Sequence, residues 1–219
     1  MDIIPFIRFT INSRYINRWI FGGLVLFVPV VNFFSIGFLS RTSRLMMVGG
    51  MGLATWQDKY ETWLEGVKLL FVFILYNAIP FFMFSSGFFL TTLNTFTAFF
   101  GNLMIKAATF VVLPICSFFL PFAFCVFAER LDFREALEFE AILHGIKEVL
   151  VEYIIGYAAT LAAIYISLLF MRIPYLIGFL ISSIFTYYSL LLSTFYFTGL
   201  YRRTSLCLAQ ITDDEPPLH

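Results

Sequence analysis

The residues of this chain that could do chemistry are the few polar and charged side chains beside or inside long apolar runs. Lysine and arginine at the ends of such runs can bind the phosphate groups of anionic lipids. A carboxylate or carboxamide inside a run can bind an ion, a proton or a substrate, because a polar group in hydrocarbon needs a partner. Eight side chains are candidate ligand- or lipid-binding residues: Asn32, Arg41, Arg44, Lys68, Lys147, Glu152, Arg202 and Arg203.

Each of these candidates also has a structural interpretation. Lys68 and Lys147 stand at the start of apolar runs, where long side chains commonly extend back to the lipid headgroups. The four arginines are equally explained as signals of membrane topology. Glu152 lies just inside an apolar run, and pairing with Lys68 or Arg134 is the alternative to an ion or proton site. Asn32 lies three residues after Pro29, so its carboxamide can hydrogen-bond to carbonyl groups freed by a helix break instead of binding a substrate.

The sequence contains no motif of an enzyme or a metal site. It has no HExxH, GxSxG or Walker sequence. His144 could share a helical face with Glu140 and Glu148, but a metal site also needs a convergent third ligand and supporting contacts. We therefore expect a protein that is not an enzyme, with no catalytic residue, metal or cofactor. The formal net charge of zero gives no indication of a nucleic-acid partner.

The composition indicates that the elements carrying these residues lie in a membrane. Hydrophobic residues make up 60% of the chain and charged residues 13%, whereas about 25% charge is usual in soluble domains. Runs of about 20 apolar residues can cross a bilayer. We predict an all-α integral membrane protein, a helical bundle with four full crossings in a single domain of residues 1–210. The first crossing is expected to kink at Pro80, and the second to begin after Gly101 and Asn102. The third and fourth crossings are predicted at residues 149–171 and 175–201.

The apolar run of residues 19–39 allows two interpretations. It is interrupted at Pro29 and Asn32, so it is either one crossing or a re-entrant hairpin of two short helices. Lysine and arginine cluster in loops that we place in the cytoplasm, and the N-terminal arginines join them only if this run folds back. We therefore predict the hairpin, an inner (cytoplasmic) membrane location, multi-pass topology and a cytoplasmic C-terminus. Residues 211–219 are expected to form a disordered tail.

The densest group of charges, residues 129–147, predicts an amphipathic helix on the cytoplasmic surface. Asp132 and Glu135 have the spacing of a capping box, so the helix is expected to begin near Phe133. Apolar residues then recur at steps of three and four on one helical face: Ala136, Phe139, Leu143, Ile146 and Leu150. Such a helix lies along a membrane surface or packs beneath a bundle. A second cytoplasmic surface helix is predicted within residues 40–62.

Two segments of the chain resemble each other. WLEGVKLLFVFILY (residues 63–76) and ILHGIKEVLVEYII (residues 142–155) align without a gap, and each places a glycine and a lysine ahead of an apolar run. This pattern predicts an internal repeat of residues 37–90 and 121–171, as many transporters have. The alternative is that helix junctions at the cytoplasmic surface independently favour lysine and glycine.

Three further stretches occur in the order LFVPVVNFFSIGFLSRTSRLM, TWQDKYETWLEGVKLL and LPFAFCVFAERLDFREALEFEAI. In order and spacing they resemble the DUF4013 family of bacterial and archaeal membrane proteins. The matching positions are Pro29, Asn32, Gly37, Phe38, Arg41, Trp56, Asp58, Gly66, Lys68, Phe133 and Ala136. The chain departs from the family pattern at Ala54 and Thr55, where the family usually has Leu-Pro. The resemblance covers about residues 21–201 and implies a polytopic membrane architecture, with no activity to carry over.

These observations predict a non-catalytic polytopic membrane protein that acts as a homo-oligomer or as a subunit of a larger membrane assembly. The reason is the abundance of aromatic residues, with 30 Phe and 11 Tyr, and the scarcity of charge within the apolar runs. The expected partners are membrane lipids and either further copies of the chain or other membrane subunits. The alternative is a small transporter or channel with its site at the broken first helix.

Overall fold

The computed structural model describes residues 4–49 and 52–208, and the predicted tail of residues 211–219 lies outside them. The described residues form helices and no β-strand, so the predicted all-α fold is confirmed. Eleven α-helices follow one another along this part of the chain: α1 (Ile4–Thr10), α2 (Ser13–Val25), α3 (Asn32–Met47), α4 (Lys59–Tyr76), α5 (Ala78–Leu93), α6 (Thr95–Ala107), α7 (Leu113–Ser117), α8 (Leu120–Arg130), α9 (Phe139–Glu148), α10 (Leu150–Leu169) and α11 (Tyr175–Tyr201).

Three helical stretches of the described chain are long and apolar enough to cross a membrane. They are Thr95–Ser117, Leu150–Arg172 and Leu176–Tyr201. A fourth crossing is counted if α4 and α5 together form one bent span, because these two helices meet at an angle of 68°. Three to four candidate spans are consistent with the membrane protein that the composition predicts.

The bend between α4 and α5 lies at Asn77, and the predicted kink at Pro80 is wrong by three residues. Pro80 occupies the first turn of α5, where the missing N–H of proline leaves no helical hydrogen bond unmade. The Asn77 side chain donates to the carbonyl of Phe73 at 2.9 Å and accepts from the hydroxyl of Ser117 at 2.7 Å. The bend is therefore stabilised by the asparagine side chain.

The predicted break at Gly101 and Asn102 is also wrong, because both residues lie inside α6. A π-helical turn, Ala108–Val112, then joins α6 to α7, and the helical path continues to Ser117. Gly101 instead meets Gly87 of α5: a Cβ atom on Gly101 would lie 2.5 Å from the Gly87 carbonyl oxygen. The glycine permits close helix packing here.

The charged central segment begins its α-helix later than predicted. Leu131 ends α8 with a φ of 56°, in the left-handed region, and a 3₁₀ turn covers Glu135–Leu137 before α9 starts at Phe139. Asp132 accepts from the N–H of Arg134, two residues away, at 2.8 Å, so it stabilises a turn rather than a capping box. Helix α9 buries Ile142 and Ile146, whereas Leu143 of the predicted apolar face is exposed.

Residues 19–39 form two helices, α2 and α3, separated by a turn in which Val30 has a φ of 69°. The ring of Trp19 in α2 packs on Tyr188 of α11, and Phe27, just after α2, packs on Phe179, so α2 runs antiparallel to α11. Helix α3 runs parallel to α11: Ser35 bonds to Gly22 beside Tyr187, and farther along both helices Ser43 pairs with Thr198. The segment is therefore a helical hairpin.

The helices pack around two cores that share α11. One core joins α4, α8, α9, α10 and the end of α11, with fully buried residues that include Phe122, Phe127, Ile142, Tyr153 and Tyr201. The other joins α1, α2, α3 and the middle of α11 through residues that include Phe6, Trp19, Phe38, Tyr187 and Leu191. Helix α11 is thus the element that connects the hairpin to the rest of the bundle.

Candidate functional site

Helices α3 and α4 cross in direct backbone contact at Gly37 and Gly66. A Cβ atom on Gly37 would lie 1.8 Å from the carbonyl oxygen of Thr62, and one on Gly66 would lie 1.8 Å from that of Phe33. Only a hydrogen atom fits at these distances, so both positions require glycine. Both glycines belong to the pattern on which the family resemblance rests, and the close crossing is the physical reason for them.

This crossing brings two arginines of α3 onto one carboxylate of α4. Glu65 Oε1 lies 3.4 Å from Arg41 Nε, and Glu65 Oε2 lies 3.1 Å from Arg44 Nη2. The Glu65 side chain is 11% exposed, so the ion pairs are largely shielded from water. Sequence reasoning did not single out Glu65, although its spacing of four from Glu61 places both carboxylates on one face of α4.

Other donors of the two arginines also have partners within the protein. Arg41 Nη2 lies 3.1 Å from Glu61 Oε2, and Arg41 Nη1 donates to the carbonyl of Gln57 at 3.2 Å. Arg44 Nε donates to the carbonyl of Ala128, at the end of α8, at 2.8 Å. Both guanidinium groups are therefore directed into the protein, where they hold α3, α4 and α8 together.

A second polar cluster holds the segment that follows α11. Glu129 of α8 accepts hydrogen bonds from the Tyr201 hydroxyl at 2.6 Å and from the backbone N–H of Leu208 at 3.0 Å. Arg130 donates to the carbonyl of Leu206 at 3.0 Å. These contacts fold residues 202–208 back onto the end of α8.

Glu148, at the junction of α9 and α10, binds the same segment. Its carboxylate accepts hydrogen bonds from the Ser205 hydroxyl and from the Ser205 backbone N–H, the latter at 2.9 Å. The hydroxyl bond is the main reason why the pKa of Glu148 is lowered from its usual value, and the backbone bond and His144 act in the same direction.

We expect the contact between Glu148 and Ser205 to weaken in acid. A carboxylate whose pKa is lowered by folding stabilises the protein above the unfolded value of 4.5, and this contribution is lost as the pH falls through the folded pKa. Glu148→Gln should therefore lower the melting temperature at neutral pH, and its difference from wild type should shrink as the pH falls below 4.5. Glu140→Gln, at an exposed position of α9, is the control. A difference that does not change with pH contradicts this assignment.

The remaining basic candidates lie on the surface at the ends of α9 and α11. Lys147 and Arg203 are exposed, and neither forms an ion pair within the part of the chain that the structure describes. Arg202 is exposed as well, but its Nη1 donates to the carbonyl of Met46 at 3.4 Å and so connects the ends of α11 and α3.

Glu152 and Lys68 are also exposed, on α10 and α4. The pairing of Glu152 with Lys68 or Arg134 that the sequence suggested is not found among the described residues. The Glu152 backbone carbonyl, rather than its carboxylate, accepts a hydrogen bond from the Tyr196 hydroxyl at 2.8 Å. Lys68 lines a cavity together with Arg130.

Asn32 begins α3, directly after the break in the N-terminal hairpin. Its Oδ1 atom is buried and has no hydrogen-bond partner among the described residues. One turn later, Ser35 donates to the carbonyl of Gly22 at 2.7 Å. The Tyr187 hydroxyl oxygen lies 2.6 Å from the position that a Cβ of Gly22 would take, and it too is buried with no described partner. The junction of α2, α3 and α11 therefore contains buried polar atoms that are available to bind a small polar ligand or an ion.

The structure thus divides the predicted site residues into three groups. Arg41, Arg44 and Arg202 connect helices to one another. Asn32 belongs to the buried junction of the hairpin with α11. The others, Lys68, Lys147, Glu152 and Arg203, are on the surface and are not brought to one common site. Within the described residues, the ion pairs and hydrogen bonds of Arg41, Arg44 and Glu65 connect α3, α4 and α8, and those of Glu129, Arg130 and Glu148 hold the segment after α11.

Comparison with known proteins agrees with the pattern read from the sequence. A family model described as "Protein of unknown function (DUF4013)" matches residues 20–174. The matched region includes the break of the N-terminal hairpin, the crossing of Gly37 with Gly66, and the three-residue cluster of Arg41, Arg44 and Glu65. No curated protein and no solved structure matches the chain. Because the family model covers more than half of the 219 residues, the chain belongs to the DUF4013 family.

Proposed function

We propose that the chain is a non-catalytic polytopic protein of the inner (cytoplasmic) membrane, which acts as a homo-oligomer or as a subunit of a larger membrane assembly. The proposed topology has four crossings, a re-entrant α2–α3 hairpin, α9 on the cytoplasmic surface and a cytoplasmic C-terminus. Arg18, Arg44 and Arg202 support it, because they donate to backbone carbonyls at one end of the bundle, and cytoplasmic loops are rich in positive charge. An active alkaline-phosphatase fusion at the C-terminus would overturn this orientation.

The observation that carries the proposed association is the exposed hairpin of α5 and α6. These helices contact each other at Gly87 and Gly101, and the only other residue that either of them buries is Pro80. The outer surface of the hairpin carries large apolar side chains, each more than 60% exposed: Ile79, Phe82, Phe88, Phe89, Phe96 and Phe99. Lipid or another protein must cover this surface.

A polar residue on the α5–α6 hairpin indicates that part of this exposed surface contacts another protein rather than lipid. Asn102 is exposed on α6, close to the exposed Phe99 and Leu103, and its carboxamide has no hydrogen bond to the described residues. In hydrocarbon, a hydrogen bond from such a group to a neighbouring helix contributes about 0.6–2 kcal/mol. We therefore propose that α6 meets a transmembrane helix of a second copy or of another subunit at Asn102.

The particle mass in lipid nanodiscs or mild detergent tests this association. We expect the wild-type particle to contain more than one membrane chain, and Asn102→Leu to shift the population towards the monomer. Thr92→Val is the control, because Thr92 is exposed on the same hairpin but already donates to the carbonyl of Phe89 at 2.7 Å. Wild-type protein that is monomeric and without other membrane chains at every concentration would overturn the proposal.

One observation favours the alternative of a small transporter or channel. Side-chain oxygens of Asn32, Ser182, Thr186 and Tyr187 are buried without a hydrogen-bond partner among the described residues. These residues belong to α3 and α11, which pack beside the helix break and Gly22. Buried polar atoms normally have partners, from protein or from water. An ion or a small polar solute bound at the helix break would supply the missing partners of these oxygens.

Flux into liposomes that contain the purified protein tests this alternative. Sodium, potassium and proton fluxes are measured for wild type, for Asn32→Ala and for the control Thr92→Val, which changes an exposed position of α5. A transporter or channel with its site at the break predicts a loss of flux in Asn32→Ala alone. Wild-type fluxes equal to those of protein-free liposomes exclude these three ions as substrates of the chain.

A further inference from the structure

A cavity opens between α4 and the turn that follows α8. Its volume is about 650 Å³, and six residues line it: Lys68, Phe71, Arg130, Leu131, Asp132 and Phe133. The left-handed conformation of Leu131 ends α8 and turns the chain, so that Asp132 and Phe133 line the same cavity as Lys68. The cavity thus combines charged and apolar walls from two segments far apart in sequence.

Two side chains of opposite charge that line this cavity, Lys68 and Asp132, have groups available to a ligand. The Arg130 guanidinium pairs with Glu135 and donates to a backbone carbonyl, so its charge is largely compensated. Lys68 is exposed and has no hydrogen bond or ion pair to the residues that the structure describes. Asp132 uses one carboxylate oxygen for the N–H of Arg134, and its other oxygen accepts no hydrogen bond from the described chain. A ligand that pairs with both residues has a negatively charged group for Lys68 and a positively charged group for Asp132.

An apolar track leads from these charges along α4. Phe71 and Leu75 follow Lys68 at steps of three and four residues, so all three lie on one helical face. Phe71 is 56% exposed and Leu75 is 50% exposed. Phe133 lines the cavity together with Phe71, so a second aromatic ring belongs to its apolar wall. Charged residues beside an exposed apolar surface are suited to bind a phospholipid, whose charged headgroup is attached to acyl chains.

We propose that this cavity binds a phospholipid whose headgroup contains both a phosphate and a primary amine, as phosphatidylethanolamine does. The phosphate binds the Lys68 ammonium group, the amine donates to the Asp132 carboxylate, and an acyl chain lies along Phe71 and Leu75. A choline headgroup has no N–H to donate, and a glycerol headgroup offers the Asp132 carboxylate only neutral hydroxyl donors, which form weaker hydrogen bonds than an ammonium group does. The proposal goes beyond the association of α5 and α6, because the cavity uses neither helix.

Native mass spectrometry of the delipidated full chain tests the proposal, with ethanolamine, choline and glycerol phospholipids of identical acyl chains as probes. We expect the ethanolamine lipid to bind about tenfold more tightly than the others, the usual contribution of one hydrogen bond to a charged group. Lys68→Gln should weaken its binding about tenfold for the same reason. Asp132→Asn should remove the preference over choline, while its amide oxygen can still accept from Arg134.

Two controls distinguish a specific loss of lipid binding from a loss caused by misfolding of a variant. Lys59→Gln changes an exposed lysine at the start of α4, outside the cavity, and should bind all three lipids as wild type does. Mono- and dimethylated ethanolamine lipids remove N–H donors one at a time and need no variant, so wild-type affinity should fall along this series. Equal binding of the three headgroups, a preference for the glycerol lipid, or a preference that survives in both cavity variants would each overturn the proposal.

Discussion

Replacement of Gly66 by alanine is expected to prevent α3 and α4 from packing as they do in the native protein. The added methyl group would lie 1.8 Å from the carbonyl oxygen of Phe33 and 3.0 Å from its Cα atom. Both are backbone atoms, so the clash is relieved only if the helices move apart. Overpacking typically costs about 1–3 kcal/mol, and we expect the upper end of this range, because separation also stretches the ion pairs of Glu65.

Thermal unfolding of the purified protein in detergent measures this effect. Gly37→Ala should cost about as much as Gly66→Ala, and the double variant should cost less than the sum, because one separation of the helices relieves both clashes. Gly52→Ala is the control, since nothing lies within 4 Å of the Cβ position of Gly52. A wild-type melting temperature for Gly66→Ala would contradict the close crossing.

Removal of the Glu65 carboxylate is the second change for which we expect a large effect. Glu65→Ala leaves the side chains of Arg41 and Arg44, which are 16% and 33% exposed, without the partner that they share. Breaking one side of a buried ion pair typically costs about 3–5 kcal/mol. Because Arg44 is partly exposed, we expect a loss near 3 kcal/mol, the lower end of that range.

Glu61 provides a matched control for this prediction, because it also contacts Arg41 but its side chain is 71% exposed. Exposed ion pairs contribute little, so Glu61→Ala should cost less than about 1 kcal/mol. Replacing Arg41 and Arg44 by methionine in the Glu65→Ala protein should restore part of the stability, because apolar side chains then fill the site without an unpaired charge. Equal losses for Glu61→Ala and Glu65→Ala would show that burial of Glu65 does not matter.

The sequence alone determined the membrane class, the helical fold and the family. The two C-terminal spans, predicted at residues 149–171 and 175–201, closely match Leu150–Arg172 and Leu176–Tyr201. An uninterrupted apolar run of this length is expected to form one membrane-spanning helix, because a segment in hydrocarbon must satisfy its backbone hydrogen bonds internally. The family pattern likewise contained Gly37 and Gly66, although the sequence did not show what they contact.

The tertiary structure decided which residues are partners. The sequence marked Arg41 and Arg44 as candidates, but only the crossing of α3 with α4 brings Glu65 to them. Glycine is ambiguous in sequence, because it can end a helix or allow two helices to touch, and Gly101 does the second. The cavity at Lys68 depends on a turn more than 60 residues away. These features arise from the sum of contacts between helices, whereas the patterns of one chain segment report only its local preferences.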